Sequence, residues 1–192
     1  MVFGHRGARG EAPENTLAGF AYALGLGVDG FELDVRLSAD GQLVVIHDET
    51  VDRTTNATGP VAAFTADQLA LLDARGSCPE WPERVGVPTL EQVLDAFAGT
   101  PRFEIEVKRD RPERLEEVCA RLAMIIARYD LGGRATVSSF DPLALNIMRR
   151  LAPDLPRAYI GAYDERHYLD TALELGCTQV DIPLSSKSPG TV

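Results

Sequence analysis

The sequence lacks the usual features of a secreted or membrane protein. Its 192 residues include three cysteines, Cys78, Cys119 and Cys177, and these are widely spaced and form no CxxC pair. An odd number of scattered cysteines predicts reduced thiols and a cytoplasmic location rather than a disulfide framework. No apolar run approaches the roughly 18 to 20 residues of a membrane span, and no signal-peptide pattern begins the chain. We therefore expect no stable membrane insertion.

Basic residues and histidines are also scarce. Lysine and arginine number 19 against 29 acidic residues, which gives a formal net charge of -10. Such a field repels polyanions, so nucleic acid is excluded as the expected partner. An anionic small molecule would need a bound cation and local basic side chains. The chain has three histidines, so the position of each one is informative.

Short apolar strands alternate with amphipathic helices along the whole chain, which predicts one α/β domain over residues 1–192. The predicted strands cover residues 2–4, 31–37, 43–46, 103–107, 135–139, 157–160 and 178–184. The predicted helices begin near residues 17, 66, 89, 112, 142 and 165. A polar, proline-rich stretch at about 46–88 interrupts this order, and we interpret it as a loop or insertion.

Two histidines at strand ends and two acids inside a strand form the candidate site. His5 and His47 each follow a short apolar strand, and Glu32 and Asp34 alternate with Phe31 and other apolar residues inside another. Two imidazoles can supply a general base and a general acid near neutral pH. Carboxylates two apart on a strand share a face and can hold a hard divalent cation. These residues together indicate metal-assisted displacement at phosphorus.

A hairpin turn at Asp40-Gly41 decides whether His47 reaches the acidic face. Its link is too short for a crossover helix, so the two strands must be antiparallel. A two-residue loop places His47 opposite Asp34, and a four-residue loop places it opposite Glu32. A three-residue loop shifts the register and removes the argument. The sequence leaves the three alternatives open.

Several motifs together resemble the glycerophosphodiester phosphodiesterase family over nearly the whole chain. In chain order they are HRG at 5–7, PENT at 13–16, ELD at 32–34, DG before VVIHD at 44–48, RTT at 53–55, PTLEQVL at 88–94, EIEVK at 104–108 and SSF at 138–140. Each tripeptide alone is weak, but the ordered combination is specific.

The resemblance implies a TIM-like (βα)8 barrel that hydrolyses glycerophosphodiesters to sn-glycerol 3-phosphate and an alcohol. It implies catalytic roles for His5 and His47, and the glycerol 2-hydroxyl as the nucleophile. By the same resemblance Mg²⁺ or Ca²⁺ is held by three carboxylates, and two basic residues contact the phosphate. The implied metal ligands are Glu32, Asp34 and Glu106, and the implied phosphate contacts are Arg6 and Lys108.

Some features leave alternatives. The segment SSKSPGTV at 185–192 resembles neither the helix nor the strand with which the family continues. We therefore expect a barrel lacking its last βα unit, with exposed edge strands that a second copy could cover. Alternative functions are an inactive or truncated barrel that binds phospho-polyols, a lysophospholipase D-like phosphodiesterase, and an amidohydrolase, whose HxH motif is absent. Glu14 and Asn15 either touch metal or substrate or cap the next helix.

Overall fold

A curved, mostly parallel sheet forms the centre of the molecule. The computed structural model describes residues 1–161 and 167–182. In this part of the chain six strands run parallel in the order β1-β2-β4-β5-β6-β7, and β3 pairs antiparallel with β2. The strands are β1 (Phe3–His5), β2 (Gly30–Leu37), β3 (Leu43–Val45), β4 (Phe103–Val107), β5 (Ala135–Ser139), β6 (Arg157–Ile160) and β7 (Gln179–Asp181).

The helices begin where the sequence supplies a capping side chain or a proline. Thr16, Thr65 and Thr89 each accept a hydrogen bond from a backbone N–H in the first helical turn, which satisfies a group that otherwise has no partner. The helices are α1 (Leu17–Gly25), α2 (Ala66–Ala70), α3 (Leu90–Ala96), α4 (Pro112–Arg128), α5 (Pro142–Leu151) and α6 (Tyr168–Glu174). A 3₁₀ helix spans Val61–Ala63.

Alternation along the strands separates an apolar face from a polar one. Phe31, Leu33 and Val35 on β2 are buried in the main hydrophobic core, as their spacing predicts. Helix α4 packs on this face through Leu115 and Leu122, which are fully buried. The intervening residues of β2 and β4 point to the concave face, so the carboxylates of these strands project into the barrel interior.

The segment between β3 and α3 has a smaller core of its own. Its buried residues include Val51, Val61 and Leu69, which pack with Val44 and Ile46. The 3₁₀ helix is tied to this segment because Val61 N donates to the carbonyl of Glu49. The long polar excursion is therefore a packed element, and its start lies beside β3.

The α/β barrel variant predicted from the sequence is confirmed, with six parallel strands in place of the eight of a full (βα)8 barrel. In residues 1–161 and 167–182, no strand pairs with the outer edge of β1 or β7. A second copy covering these edges stays a prediction. The predicted helix start at 165, the strand end at 183–184 and the segment 185–192 lie outside the described residues. No helix of the described ranges has the length and apolarity needed to cross a membrane.

The hairpin between β2 and β3 has the register that breaks the sequence argument for His47. Leu37 pairs with Leu43, and Ser38 N donates to the carbonyl of Gln42, which leaves a three-residue loop at 39–41. Ile46, not His47, therefore lies opposite Asp34, and Ile46 N donates to the Asp34 carbonyl. The argument that placed His47 on the acidic face of β2 was therefore wrong, because a loop of three residues instead of two shifts every pairing by one.

Candidate functional site

The parallel registers of β1, β2 and β4 bring the predicted acids and His5 together. His5 on β1 lies opposite Glu32 on β2, and Asp34 on β2 lies opposite Glu106 on β4. Directly opposed residues share a face. Three segments that are far apart in sequence therefore place their polar side chains at one end of the barrel interior.

Glu32, Asp34 and Glu106 form a compact carboxylate cluster. One oxygen from each lies within 4.8 Å of the other two. Burial, together with the charge of Asp34, raises the pKa of Glu32 well above its ordinary value, and burial raises the pKa of Glu106 to about 7. Burial and repulsion from Asp34 thus disfavour the ionised forms of Glu32 and Glu106, and a bound cation would relieve this cost.

The cluster fits a hard divalent cation. Asp34 Oδ1 is buried and accepts no hydrogen bond from the residues that the structure describes, although Lys108 Nζ forms an ion pair with it at 3.3 Å. All the clustered donor atoms are carboxylate oxygens, which suit Mg²⁺ or Ca²⁺ better than the softer Zn²⁺. The ligand roles of these residues stay predictions.

Lys108 and Arg6 flank the cluster, as the sequence suggested. Lys108 Nζ lies 2.5 Å from Glu106 Oε1 and 3.3 Å from Asp34 Oδ1, and Arg6 Nε lies 3.2 Å from Asp34 Oδ2. Burial opposes ionisation of Asp34, but the charges of Lys108 and Arg6 outweigh it and lower its pKa. Arg36, two residues beyond Asp34, donates to the His47 carbonyl at 2.9 Å.

The HRG loop and the PENT loop hold strained backbone at the site. Arg6 has φ 52° and Asn15 has φ 54°, both in the left-handed region that non-glycine residues rarely adopt. Arg6 N donates to Glu32 Oε2 at 3.0 Å, and Asn15 Nδ2 donates to Asp34 Oδ2 at 2.8 Å. The unusual backbone thus aims two hydrogen-bond donors at the carboxylates.

His5 stands at the open rim of the cluster. Its Nε2 lies 3.6 Å from Glu32 Oε2, and its side chain is 56% exposed. Partial burial, and then the charges of Arg6 and Arg9, lower the pKa of His5. A neutral imidazole at the rim can accept a proton from a solvent-accessible molecule.

His47 belongs to a hydrogen-bonded chain that sequence reasoning missed. Its Nδ1 lies 2.6 Å from Asp48 Oδ1, and Arg53 Nε donates to Asp48 Oδ2 at 2.6 Å. Arg53 also makes two hydrogen bonds of 2.8 Å to Glu14. The Arg53 hydrogen bonds hold the pKa of Asp48 at about 2, and burial lowers that of His47. The HD, RTT and PENT motifs contain these residues, but their pairing could not be read from sequence.

The remaining candidates have clear positions. Thr16, not Asn15, caps α1, so Asn15 is free to contact Asp34. Glu14 pairs with Arg6 and Arg53. Glu104 accepts a hydrogen bond from Gln179, and burial and the charge of Asp181 raise its pKa to about 8.

The sequence of this chain is similar to those of known proteins. A model described as the glycerophosphoryl diester phosphodiesterase family matches residues 5–188. A protein from Caldanaerobacter subterraneus subsp. tengcongensis named glycerophosphodiester phosphodiesterase is 42% identical over 159 residues. The match covers 81% of this chain and 64% of that relative, so this chain spans less than two thirds of the relative's length.

Solved structures show the same fold. A glycerophosphodiester phosphodiesterase from Agrobacterium tumefaciens is similar with a TM-score of 0.74 and 30% identity, over 93% of this chain and 84% of that one. A phosphodiesterase from Oleispira antarctica, in complex with the product sn-glycerol-3-phosphate, is similar with a TM-score of 0.85 and 29% identity. That match covers 95% of this chain and 74% of the other.

Proposed function

The chain belongs to the glycerophosphoryl diester phosphodiesterase family, and on this premise we propose that it hydrolyses glycerophosphodiesters. The products are sn-glycerol 3-phosphate and an alcohol, and one water molecule is consumed. The complex of the Oleispira antarctica neighbour with that product supports this substrate class. The proposed setting is glycerol and lipid metabolism in the cytoplasm, in line with three free cysteines.

The observation that carries the proposal is one carboxylate cluster with His5 at its rim and two basic side chains against it. His5 Nε2 is close to Glu32, and the charge of Asp34 acts on both His5 and His47. Lys108 and Arg6 add positive charge at the same place. A phosphodiester anion bound there would meet positive charge, a base and an acid together, which is what displacement at phosphorus requires.

Glu32, Asp34 and Glu106 would hold a divalent cation, which we propose to be Mg²⁺ or Ca²⁺. A bound cation of this kind supplies charge stabilisation for the phosphoryl oxygens. Lys108 and Arg6 share this role, because their side chains lie against the same carboxylates. Arg6 also fixes the orientation of Glu32 through its backbone N–H.

The proposed proton transfers assign one role to each histidine. His5 accepts the proton of the attacking hydroxyl, which the family resemblance identifies as the glycerol 2-hydroxyl. As the 2-hydroxyl oxygen bonds to phosphorus, the bond between phosphorus and the oxygen of the leaving alcohol breaks. His47 donates a proton to the oxygen of this leaving alcohol. Water then opens the resulting cyclic phosphate, with the two histidines exchanging roles. Asp48 supports this assignment because a carboxylate on Nδ1 stabilises the protonated form of His47.

The segment at about 46–88 is proposed to shape the alcohol subsite. It carries His47, Asp48 and Arg53 at its start, and its own small core fixes it beside β3. Differences in this segment would change which alcohol is accepted while leaving the carboxylates of β2 and β4 in place.

The test is release of glycerol 3-phosphate from glycerophosphocholine by the purified chain. We expect release with Mg²⁺ or Ca²⁺ and its loss with EDTA. Metal-dependent release supports the phosphodiesterase proposal. Absence of release from folded protein with either metal would contradict it and favour a role in binding phospho-polyols.

A further inference from the structure

A second concave site lies beside the carboxylate cluster. A cleft of about 560 Å³ opens between the end of β2, the 3₁₀ helix at Val61–Ala63 and the loop that leads into α4. Arg36 forms part of its wall and also donates to the His47 carbonyl. The cleft therefore adjoins the candidate site through Arg36.

The cleft is basic, although the protein is acidic. Four arginines line it against two carboxylates, Glu49 and Asp110, which leaves a local excess of two positive charges, whereas the chain as a whole carries -10. The arginines are Arg36, Arg109, Arg111 and Arg114. The N-terminus of the 17-residue helix α4 adjoins the same cleft, and Arg111 at its N-cap makes no side-chain capping bond. The helix dipole adds to the positive potential there.

The arginine side chains differ in how far they are already engaged. Arg114 pairs with Asp110 and donates to the Leu37 carbonyl. Arg109 lies over the ring of Phe140, 5.8 Å from its centroid, without a carboxylate partner in the described ranges. Arg111 is exposed, and while its backbone N–H donates to Asp110, its guanidinium has no hydrogen bond or ion pair to any residue that the structure describes. Arg109 Nη2 also donates to the Phe140 carbonyl at 3.4 Å, so the guanidinium of Arg111 and the remaining donors of Arg109 are available for an anion.

The spacing along the chain links the cleft to the reacting centre. Arg36 lies two residues beyond Asp34 on β2, which corresponds to about 7 Å along a strand. Arg109 directly follows Lys108 in the chain. Both side chains lie over the ring of Phe140. A substrate held at the carboxylates would reach the arginines only through a group several atoms from its reacting phosphorus.

We propose that this cleft binds a second phosphate carried by the alcohol part of the substrate. The preferred substrates are then glycerophosphodiesters whose alcohol bears another phosphate, and diesters with a cationic or neutral alcohol are used less efficiently. The inference rests on the proposed function and adds a substrate class to it. Arginine is suited to this role because its planar donors match phosphate oxygens.

The experiment compares three diesters with the same glycerol phosphate end. Glycerophosphocholine has a cationic alcohol, glycerophosphoglycerol a neutral one, and bis(glycerophospho)glycerol an alcohol that carries a second phosphodiester. We expect kcat/KM for the last to exceed that for glycerophosphoglycerol by roughly tenfold, the value of one charged hydrogen bond. Bis(glycerophospho)glycerol has two equivalent scissile phosphodiester bonds, which alone would raise its kcat/KM by a factor of two. The expected tenfold difference exceeds this statistical factor. The preference should appear in KM and shrink with added salt.

Variants then locate the preference in the cleft. Arg111→Gln and the double variant R109Q/R111Q should bring the ratio of the two kcat/KM values down toward two, with glycerophosphoglycerol turnover unchanged. Arg102→Gln is the matched control, because Arg102 is exposed and directly precedes β4, at the opposite end of that strand from Arg109. It removes the same charge and should keep the tenfold preference.

The outcomes separate this inference from the proposed function. Turnover of all three diesters without a preference, or a preference that survives R109Q/R111Q, overturns the cleft assignment and leaves the phosphodiesterase proposal intact. If none is hydrolysed, equilibrium dialysis of bis(glycerophospho)glycerol still decides: binding by the wild type that the double variant loses supports the cleft. Equal binding by both proteins overturns it.

Discussion

Asp34 on β2 and Glu106 on β4 are direct partners in the parallel register of the sheet. Opposed like charges destabilise a sheet, and here Lys108 lies against both carboxylates. The pKa of Glu106 is still raised, to about 7, because burial outweighs the effect of Lys108. One lysine therefore offsets only part of the repulsion, and added divalent cations should change the stability of the fold.

Metal binding should raise the melting temperature through Glu32 and not through Glu104. These two residues are register partners on β2 and β4, but only Glu32 belongs to the carboxylate cluster. At a metal concentration a hundred times the dissociation constant, the stabilisation is about 2.7 kcal/mol. In thermal melts, Mg²⁺ or Ca²⁺ should stabilise the wild type and Glu104→Gln, and should stabilise Glu32→Gln far less. Equal metal stabilisation of all three proteins would remove Glu32 from the metal site.

The stability of the metal-free protein should fall as pH rises because of Glu104. Burial, and then the charge of Asp181, raise the pKa of Glu104 from 4.5 to about 8. The folded state therefore binds this proton more tightly than the unfolded state, and its contribution is complete below pH 4.5 and lost as pH rises through 8. Gln has no titrating proton, so Glu104→Gln cannot lose this contribution. Its free energy of unfolding, measured in urea, should decline less steeply than that of the wild type between pH 4.5 and pH 8. Parallel curves for the two proteins would contradict the shift.

Each site histidine should be required for turnover, and the third should not. His5→Ala and His47→Ala should each lower kcat by roughly a hundredfold to ten-thousandfold, the usual contribution of general acid-base catalysis. His167 provides the control because its side chain is 77% exposed and it lies at the N-cap of α6. His167→Ala should retain full turnover, and substantial turnover by either site variant would defeat the assignment of that histidine.

Asp48 should act as a positioning residue for His47. Asp48→Asn keeps an oxygen near Nδ1 but removes the negative charge that favours protonated His47. If His47 is the general acid, the high-pH limb of the kcat/KM profile should move to lower pH, with a rate loss of roughly tenfold or more. A lower rate with an unmoved profile would indicate a purely structural role for Asp48.

A close contact between α1 and the PENT loop should make Gly19 sensitive to enlargement. A Cβ at Gly19 would lie 2.3 Å from the Pro13 carbonyl oxygen, whereas one at Gly25 in the same helix would meet no atom within 4 Å. Gly19→Ala should therefore destabilise the protein by about 1–3 kcal/mol, and Gly25→Ala should be neutral or stabilising. Urea denaturation midpoints measure both, and a stable Gly19→Ala protein would show that the loop can move.

Much of the fold was predictable because its signals are local. The strands β4, β5 and β6 have the bounds that the sequence predicted, and helix α5 begins at the predicted Pro142, since alternation, prolines and glycines mark these elements. Long-range pairing was harder. The opposition of Asp34 and Glu106 depends on how two strands about seventy residues apart align, and a strand pattern contains no register information for a distant partner.

The candidate site shows the same division. The motifs identified the seven proposed site residues, but the contact between Arg53 and Glu14 spans 39 positions and has no spacing signature. The hairpin argument for His47 fails, because the loop has three residues and β3 ends before His47, so its role in the site stays a prediction. Because β3 ends at Val45, the side chains after it need not alternate between the two faces of the sheet.

The left-handed backbone at Arg6 and Asn15 sets a limit on engineering this protein for heat resistance. Left-handed conformation costs roughly 1–2 kcal/mol for an ordinary residue and little for glycine. A stability screen that ignores activity would therefore favour glycine at positions 6 and 15, and would discard the side chains that contact Asp34. Substitutions that raise the stability of this chain should be sought outside those two loops, where a change in the backbone does not remove side chains of the candidate site.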